Sequence, residues 1–219
     1  MKTTATTIGI VGVGKLGTAL GRLVIDAGCE LVLAGRPGQP MLDLIVSSLL
    51  PEAQLVDFAE LAARADITIL AVPRPALAGL DLAALRGIVI DATNAWEATD
   101  GIAAPAGAEP QLSGTCWLAG DLLHLAVVRT LNHAAYTDLA ADARPAGAPG
   151  RRALGVAGDD PAALEAVAAL VDRLGFDPVV LGPDRAHLLD VDGPVFGRRL
   201  ERAEFESALA DASAPASGC

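Results

Sequence analysis

Cysteine is scarce in this chain of 219 residues. Cys29, Cys116 and Cys219 are odd in number, widely spaced and without a CxxC pair. That pattern excludes a disulfide framework and argues against structural zinc. Histidine is equally rare, and His124, His133 and His187 stand at no spacing that would put two on one metal, so no metal site is expected. Aromatic residues make up 3% of the chain, which leaves little for a site lined with stacked rings. Long apolar runs are missing as well. Ile88–Ile90 and Leu125–Val128 are strand-sized, against the ~18 apolar residues that cross a bilayer. The opening MKTTATT lacks the apolar core of a secretory leader, and a cytoplasmic location is the expectation. Positive charge is in deficit too. A net charge of −11 argues against nucleic acid or an anionic membrane as partner, since both need a basic face.

What is present is apolar and periodic. Hydrophobic residues reach 52% and charged residues 20%, enough for a sizeable core. Thr6–Gly12 reads as a buried strand and Lys15–Ala27 as a helix stopped by Gly28. Glu30–Ala34, Leu55–Val56, Ile67–Val72 and Gly87–Asp91 read as strands, with helices over Met41–Leu50 and Phe58–Arg64. After the Ala/Pro/Gly-rich stretch 92–114 come a short helix over Thr115–Leu123 and a strand over Leu125–Arg129. Past the Arg144–Gly150 loop, Arg152–Ala157 is a strand. A helix follows, capped by Asp160 with Pro161 at its first position and ended by Gly175. Pro178–Leu181 is the last strand, Asp184–Leu189 a short helix, and Glu206–Cys219 a frayed tail. Such alternation predicts an α/β fold, a Rossmann-type doubly wound, mainly parallel sheet with a smaller C-terminal α/β extension. The expected division is 1–131 for the nucleotide-binding domain, 132–205 for the extension and 206–219 for the tail.

Gly12-Val13-Gly14-Lys15-Leu16-Gly17 is a GxGxxG placed immediately after a strand and opening an amphipathic helix. That context turns a weak motif into a dinucleotide-binding fingerprint. Gly12 serves the tight turn, Gly14 the approach of a pyrophosphate, and Gly17 close helix packing. The helix N-terminus offers N–H groups and a positive dipole to phosphate. About 20 residues on, an NAD site carries an acid for the ribose 2′-hydroxyl. Here the strand ends Ala34-Gly35-Arg36. No acid repels a 2′-phosphate, and a guanidinium can fork onto one, so NADP(H) is the expected cofactor. The bland alternative for Arg36 is a solvated loop charge. Ala71-Val72-Pro73 ends another parallel strand, where its backbone either lines the ribose and nicotinamide or merely caps the strand.

The chain resembles the NADP oxidoreductase, coenzyme F-420-dependent family, from about Thr7 to Arg199. Beyond the glycine fingerprint, the resemblance rests on five segments. They are Val127-Val128-Arg129-Thr130-Leu131-Asn132, Arg144-Pro145-Ala146-Gly147, Gly158-Asp159-Asp160, Leu174-Gly175-Phe176-Asp177-Pro178 and Leu181-Gly182-Pro183. Deazaflavin-reducing members often have threonine where Val13 stands and asparagine where Lys15 stands. Some place a histidine where Asn132 stands, with His133 adjacent here. The resemblance implies hydride transfer between NADPH and a deazaflavin (coenzyme F-420) or flavin acceptor. It also implies that Leu131, Asn132 and His133 border the acceptor, that Gly193, Pro194 and the rest of 193–197 close over it, and that a homodimer is common.

Hydride transfer between two cofactors needs orientation at about 3–3.5 Å rather than acid–base machinery. The catalytic candidates are therefore only Asn132 and His133, the latter as a proton donor. Asn94, ending Asp91-Ala92-Thr93-Asn94, could bond nicotinamide or acceptor, or simply make a turn. Trp96 could cover the acceptor ring or pack its loop. Arg151, Arg152, Arg198, Arg199 and Arg202 could hold a polyanionic coenzyme tail or lie on solvated faces. Two other readings stay open: an NADPH-dependent reductase of small imines or carbonyls, and a non-catalytic NADPH-sensing module.

Overall fold

The computed structural model describes residues 6–39, 41–94, 122 and 124–212. The element order alternates as the apolar pattern requires. It runs β1 (Thr7–Val11), α1 (Lys15–Asp26), β2 (Glu30–Ala34), α2 (Leu42–Leu49), β3 (Gln54–Leu55), α3 (Phe58–Arg64), β4 (Ile67–Leu70), α4 (Arg74–Leu77), a 3₁₀ turn (Leu82–Ala84) and β5 (Ile88–Asp91). It resumes with β6 (Ala126–Arg129), α5 (Tyr136–Asp142), β7 (Ala153–Ala157), α6 (Pro161–Arg173), β8 (Asp177–Leu181), a 3₁₀ helix (Pro183–Leu189) and α7 (Arg202–Ala210).

The eight strands form one sheet in the order β3-β2-β1-β4-β5-β6-β7-β8. Its first six strands are parallel and follow the doubly wound order of dinucleotide-binding sheets. Successive side chains on these strands leave by opposite faces. Ile8, Ile10, Leu31, Leu33, Ile67 and Ile69 meet α1, α2 and α6 through Leu20, Val24, Val46, Val167 and Val171. Val11, Val32, Leu70, Val89 and Val127 meet Leu61, Ala62 and Leu77 of α3 and α4 on the other face. Burial on both sides is why the strands read as continuous apolar runs.

The direction reverses after β6. β7 is antiparallel to β6 and pairs with it only at Arg129↔Ala157, the last residue of each strand. The rest of β7 therefore projects beyond the carboxyl edge of the parallel sheet, by about 13 Å for four residues at the usual rise. β8 pairs with β7 in parallel along its whole length. This pair carries its own apolar layer, in which Ala157, Leu181, Leu189, Val195, Phe205 and Leu209 are buried together. The overhanging pair thus forms a side wall above the edge where ligands bind in such sheets.

Three local features differ from the sequence expectation. α4 and α5 form where no helix was expected, each too short to show a helical period. α7 extends to Ala210, inside the segment read as a tail, because Phe205 and Leu209 are buried and a Glu201–Glu204 capping box starts it. The 115–123 helix falls almost wholly outside the described residues. The Asp160 cap is as expected, its carboxylate accepting from the Ala163 N–H at 2.8 Å.

Candidate functional site

The fingerprint builds a seat for an anion. Gly12 has φ +113°, and a Cβ there would collide with the Ala71 carbonyl oxygen at the end of β4. Its N–H donates to Ala34 O at 2.8 Å, so this one residue ties the carboxyl ends of β1, β2 and β4 together. A Cβ on Gly17 would strike the Gly12 carbonyl. Gly14 is different: its backbone is extended, and a Cβ there would meet nothing within 4 Å. The glycine faces open space, which is the cradle a pyrophosphate requires. No side chain caps the start of α1 and no acid stands in its first turn. Thr18 bonds back to the carbonyls of Gly14 and Lys15, leaving the helix-start N–H groups to a ligand. The Lys15 ammonium lies 5.6 Å from the centroid of the Tyr136 ring, which leans over from α5. Val13 and Gly17 are buried beneath this turn, with Leu16 packed on the core.

Arg36 stands exposed beyond the end of β2, and its side chain bonds nothing among the described residues. No acid occurs between Ala34 and Gln39. Leu42 fills the space where a side chain on Gly35 would go. Residues Ala71 and Val72 are half-buried and Pro73 is exposed at the start of α4, all beside the glycine turn. The donor set fits a 2′-phosphorylated dinucleotide: an open glycine cradle, uncapped N–H groups, and a guanidinium where an acid would repel.

The second half of the site lies past β5 and β6, against the β7 wall. Leu131 is fully buried with φ +65°, a conformation disfavoured for a branched side chain and held by its surroundings. It turns the chain so that Asn132 faces Asn94. The Asn94 amide donates to the Asn132 carbonyl at 2.8 Å. The Asn132 amide donates to the Leu189 carbonyl at 2.6 Å and to Asn94 Oδ1 at 3.2 Å. His133 Nδ1 lies 3.2 Å from Asn132 Oδ1, and His133 Nε2 accepts the Gly155 N–H at 3.1 Å. Gly197 N–H donates to the His133 carbonyl at 2.9 Å, and Gly193 N–H to that of Asp190 at 2.7 Å. Pro194 is half-buried, and its carbonyl accepts from Arg198. The sequence candidates Asn94, Leu131, Asn132, His133 and 193–197 are thus brought together. Trp96 lies outside the described residues.

His133 takes a different part from that of a proton donor. Its ring is 1% exposed with both nitrogens engaged. Burial, then the charges of Arg152 and Arg129, push its pKa down to about 3. The imidazole is neutral, with the proton on Nδ1, because Nε2 must accept from a backbone N–H.

Sequence reasoning missed the ion network beneath these amides. Arg129 is buried and its guanidinium pairs with Asp91 at 2.9 Å and Asp190 at 2.6 Å, and also bonds the Thr93 carbonyl at 2.8 Å. Asp91 in turn holds the Thr93 N–H and hydroxyl, and Arg74 Nε donates to that hydroxyl at 3.2 Å. An arginine closing an otherwise apolar strand was the available signal. Both readings of Arg151 and Arg152, as anion binders or as charges on a solvated face, are corrected, since both residues are buried and already paired. Arg151 bonds Asp172 and Asp177 at 2.7 and 2.6 Å, while Arg152 bonds Asp142 at 3.1 Å and the Arg198 carbonyl at 2.7 Å. Arg199 pairs with Asp142, and Arg202 with Glu206.

The sheet order and the glycine turn that opens α1 define the class, a Rossmann-type dinucleotide-binding fold. Residues 7–95 match the family described as NADP oxidoreductase, coenzyme F420-dependent. No curated protein matches the chain. Among solved structures, it is similar to a hypothetical protein from Sinorhizobium meliloti, with a TM-score of 0.72 at 28% identity, covering 90% of this chain and 96% of the other. It is also similar to a candidate F420-dependent NADP reductase from Arthrobacter sp. FB24, with a TM-score of 0.62 at 23% identity, covering 80% and 84%. An imine reductase from Aspergillus terreus, solved with an NADPH-type cofactor, gives 0.60 at 17% identity. That match covers 86% of this chain but 60% of the reductase. The last two likenesses speak to fold alone.

Proposed function

We propose that the protein transfers hydride between NADPH and a deazaflavin or flavin acceptor, coenzyme F-420 foremost. One observation carries the reading: two differently built half-sites meet at one edge of the sheet. The first is an anion seat with an acid-free β2 end. The second is a wall of amides, Asn94 and Asn132, roofed by 193–197 and hung on the overhanging β7. When bound, the nicotinamide supplies the hydride; the chain's own residues bind, orient and exclude water. Gly14 and the start of α1 hold the pyrophosphate, and Arg36 the 2′-phosphate. Gly35 lets Arg36 leave the strand end, and Ala71–Pro73 line the sugar beside them. Asn94, held by the buried Asn132, presents a fixed amide dipole where charge shifts during transfer, which suits a reaction without proton exchange at a side chain. The reading carries with it a cytoplasmic enzyme acting as a homodimer, checked by light scattering.

The direct experiment follows NADPH absorbance with oxidised coenzyme F-420, FMN and FAD offered separately, and NADH as the control donor. Turnover with the deazaflavin at a rate well above FMN and FAD is expected. Tight NADPH binding without turnover on any of the three would instead favour a small imine or carbonyl substrate or a sensing role.

A further inference from the structure

The hydrogen bonds around Asn132 allow only one arrangement of amides. Asn94 Nδ2 faces the Asn132 carbonyl at 2.8 Å, and Asn132 Nδ2 faces the Leu189 carbonyl at 2.6 Å. A carbonyl can only accept, so both amide nitrogens must point as they do; flipping either group would set oxygen against oxygen. Gly155 N–H can only donate, so His133 Nε2 must accept and the ring proton must sit on Nδ1, aimed at Asn132 Oδ1. The chain of constraint therefore starts in β7 and ends at the sheet edge. Gly155 sets the His133 tautomer, His133 and the Leu189 carbonyl together hold the Asn132 amide from its two ends, and the Asn132 backbone carbonyl and side-chain nitrogen hold Asn94. Both Asn132 amide hydrogens are consumed, by Leu189 and by Asn94 Oδ1. Asn94, which is half-buried, retains one amide hydrogen with no partner among the described residues.

The sheet order says what reaches that hydrogen. The strands run β2, β1, β4, β5 from the Arg36 side. A dinucleotide with its 2′-phosphate at Arg36 and its pyrophosphate at Gly14 sends its nicotinamide half over β4 and β5. Asn94 follows β5, about 10 Å from β1 at the usual strand spacing. We propose that His133 is a positioning residue that, through Asn132, locks Asn94 to donate an N–H to the carboxamide oxygen of a bound nicotinamide. The inference rests on the NADP reading above but not on any acceptor. The buried, uncharged state of His133 supports it, because a proton on Nε2 would face the Gly155 N–H and break the relay.

Calorimetry with two probes tests it: NADPH, and 2′-phospho-ADP-ribose, which keeps every phosphate and lacks the nicotinamide. His133→Leu removes the donor to Asn132 and is expected to weaken NADPH about tenfold while leaving the fragment within twofold, the scale of one net hydrogen bond. His133→Asn places an amide nitrogen near the position of Nδ1 and is expected to restore NADPH to within about threefold. Asn94→Ala removes the donating amide itself at a half-buried position, so it should show the same selective loss; it covers the case in which the leucine variant does not fold. Equal losses for both probes would overturn the proposal, as would unchanged NADPH affinity in either disabling variant or an asparagine variant no better than leucine. Failure of the unaltered protein to bind NADPH would remove the cofactor reading with it. Binding with the wrong order of variants would remove this inference alone.

Discussion

Single residues divide the proposed cofactor seat into parts that serve the fold and parts left open for a ligand. Gly12 serves the fold, since its positive φ and its contact with Ala71 forbid a side chain. Gly14 is not needed by the fold, since its extended backbone and open surroundings accept a methyl group without strain, and it is the residue proposed to face the pyrophosphate. Gly14→Ala is therefore expected to keep the melting temperature within about 2 °C and cut NADPH affinity more than tenfold. Gly12→Ala should lower the melting temperature sharply. Thermal melts paired with NADPH titration check both. Arg36→Ala should weaken NADPH by about 10- to 100-fold and NADH hardly at all, the scale of a lost charge-assisted hydrogen bond. Equal losses in calorimetry would show that Arg36 does not read the 2′-phosphate. His133 makes a third prediction, on pH. Its folded pKa, about 3, lies below the ordinary 6.5 of the unfolded chain. Its contribution is complete above pH 6.5 and is lost as pH falls toward 3, with a slope approaching one proton, about 1.4 kcal/mol per pH unit. Urea unfolding between pH 7 and 4 should show the unaltered protein losing stability faster than His133→Asn.

Elements meet at the end of β6, and a buried ion network joins them. Arg129 links β5 through Asp91, the β5 exit through Thr93, and the 183–197 segment through Asp190. Removing one partner leaves an uncompensated charge in a dry place, since Asp91 is fully buried. Arg129→Met should cost about 3–5 kcal/mol in urea unfolding. Adding Asp91→Asn should recover part of that loss, because asparagine keeps an oxygen for the Thr93 N–H without the charge. If the double variant is no more stable than the single, the network is not what holds these elements. The strained Leu131 belongs to this scale too. Its left-handed backbone sits between the ion network and the two asparagines and survives because β6, β7 and α5 leave its side chain buried.

Over the whole molecule, strand periodicity and turn chemistry made most of the architecture readable in advance. Six parallel strands, their order-setting crossovers and the glycine fingerprint follow from apolar runs of fixed length, from caps such as Asp160–Pro161, and from Gly28 and Gly175 after helices. These signals are local, carried by residues a few positions apart. Arg36 as the 2′-phosphate candidate was legible for the same reason, as the residue that ends a strand. A ligand that binds the folded chain should also stabilise it as one unit. NADPH at 100 times its dissociation constant is expected to add about 2.7 kcal/mol, read as a rise in melting temperature. NADH at the same concentration should add much less.

What the sequence by itself determined was the doubly wound sheet, the glycine turn between β1 and α1 and the acid-free end of β2, because each is built from patterns within short stretches. Tertiary structure alone decided the reversal of β7, which turns on a single pairing of Arg129 with Ala157. It alone decided that Arg151 and Arg152 are buried ion pairs rather than anion binders, because their partners Asp172, Asp177 and Asp142 stand 10 to 26 positions away. And it alone decided the state of His133. A histidine's proton goes where its neighbours leave room for it, and here those neighbours are Asn132 at its side and Gly155, 22 positions on, in a strand that only folding brings near.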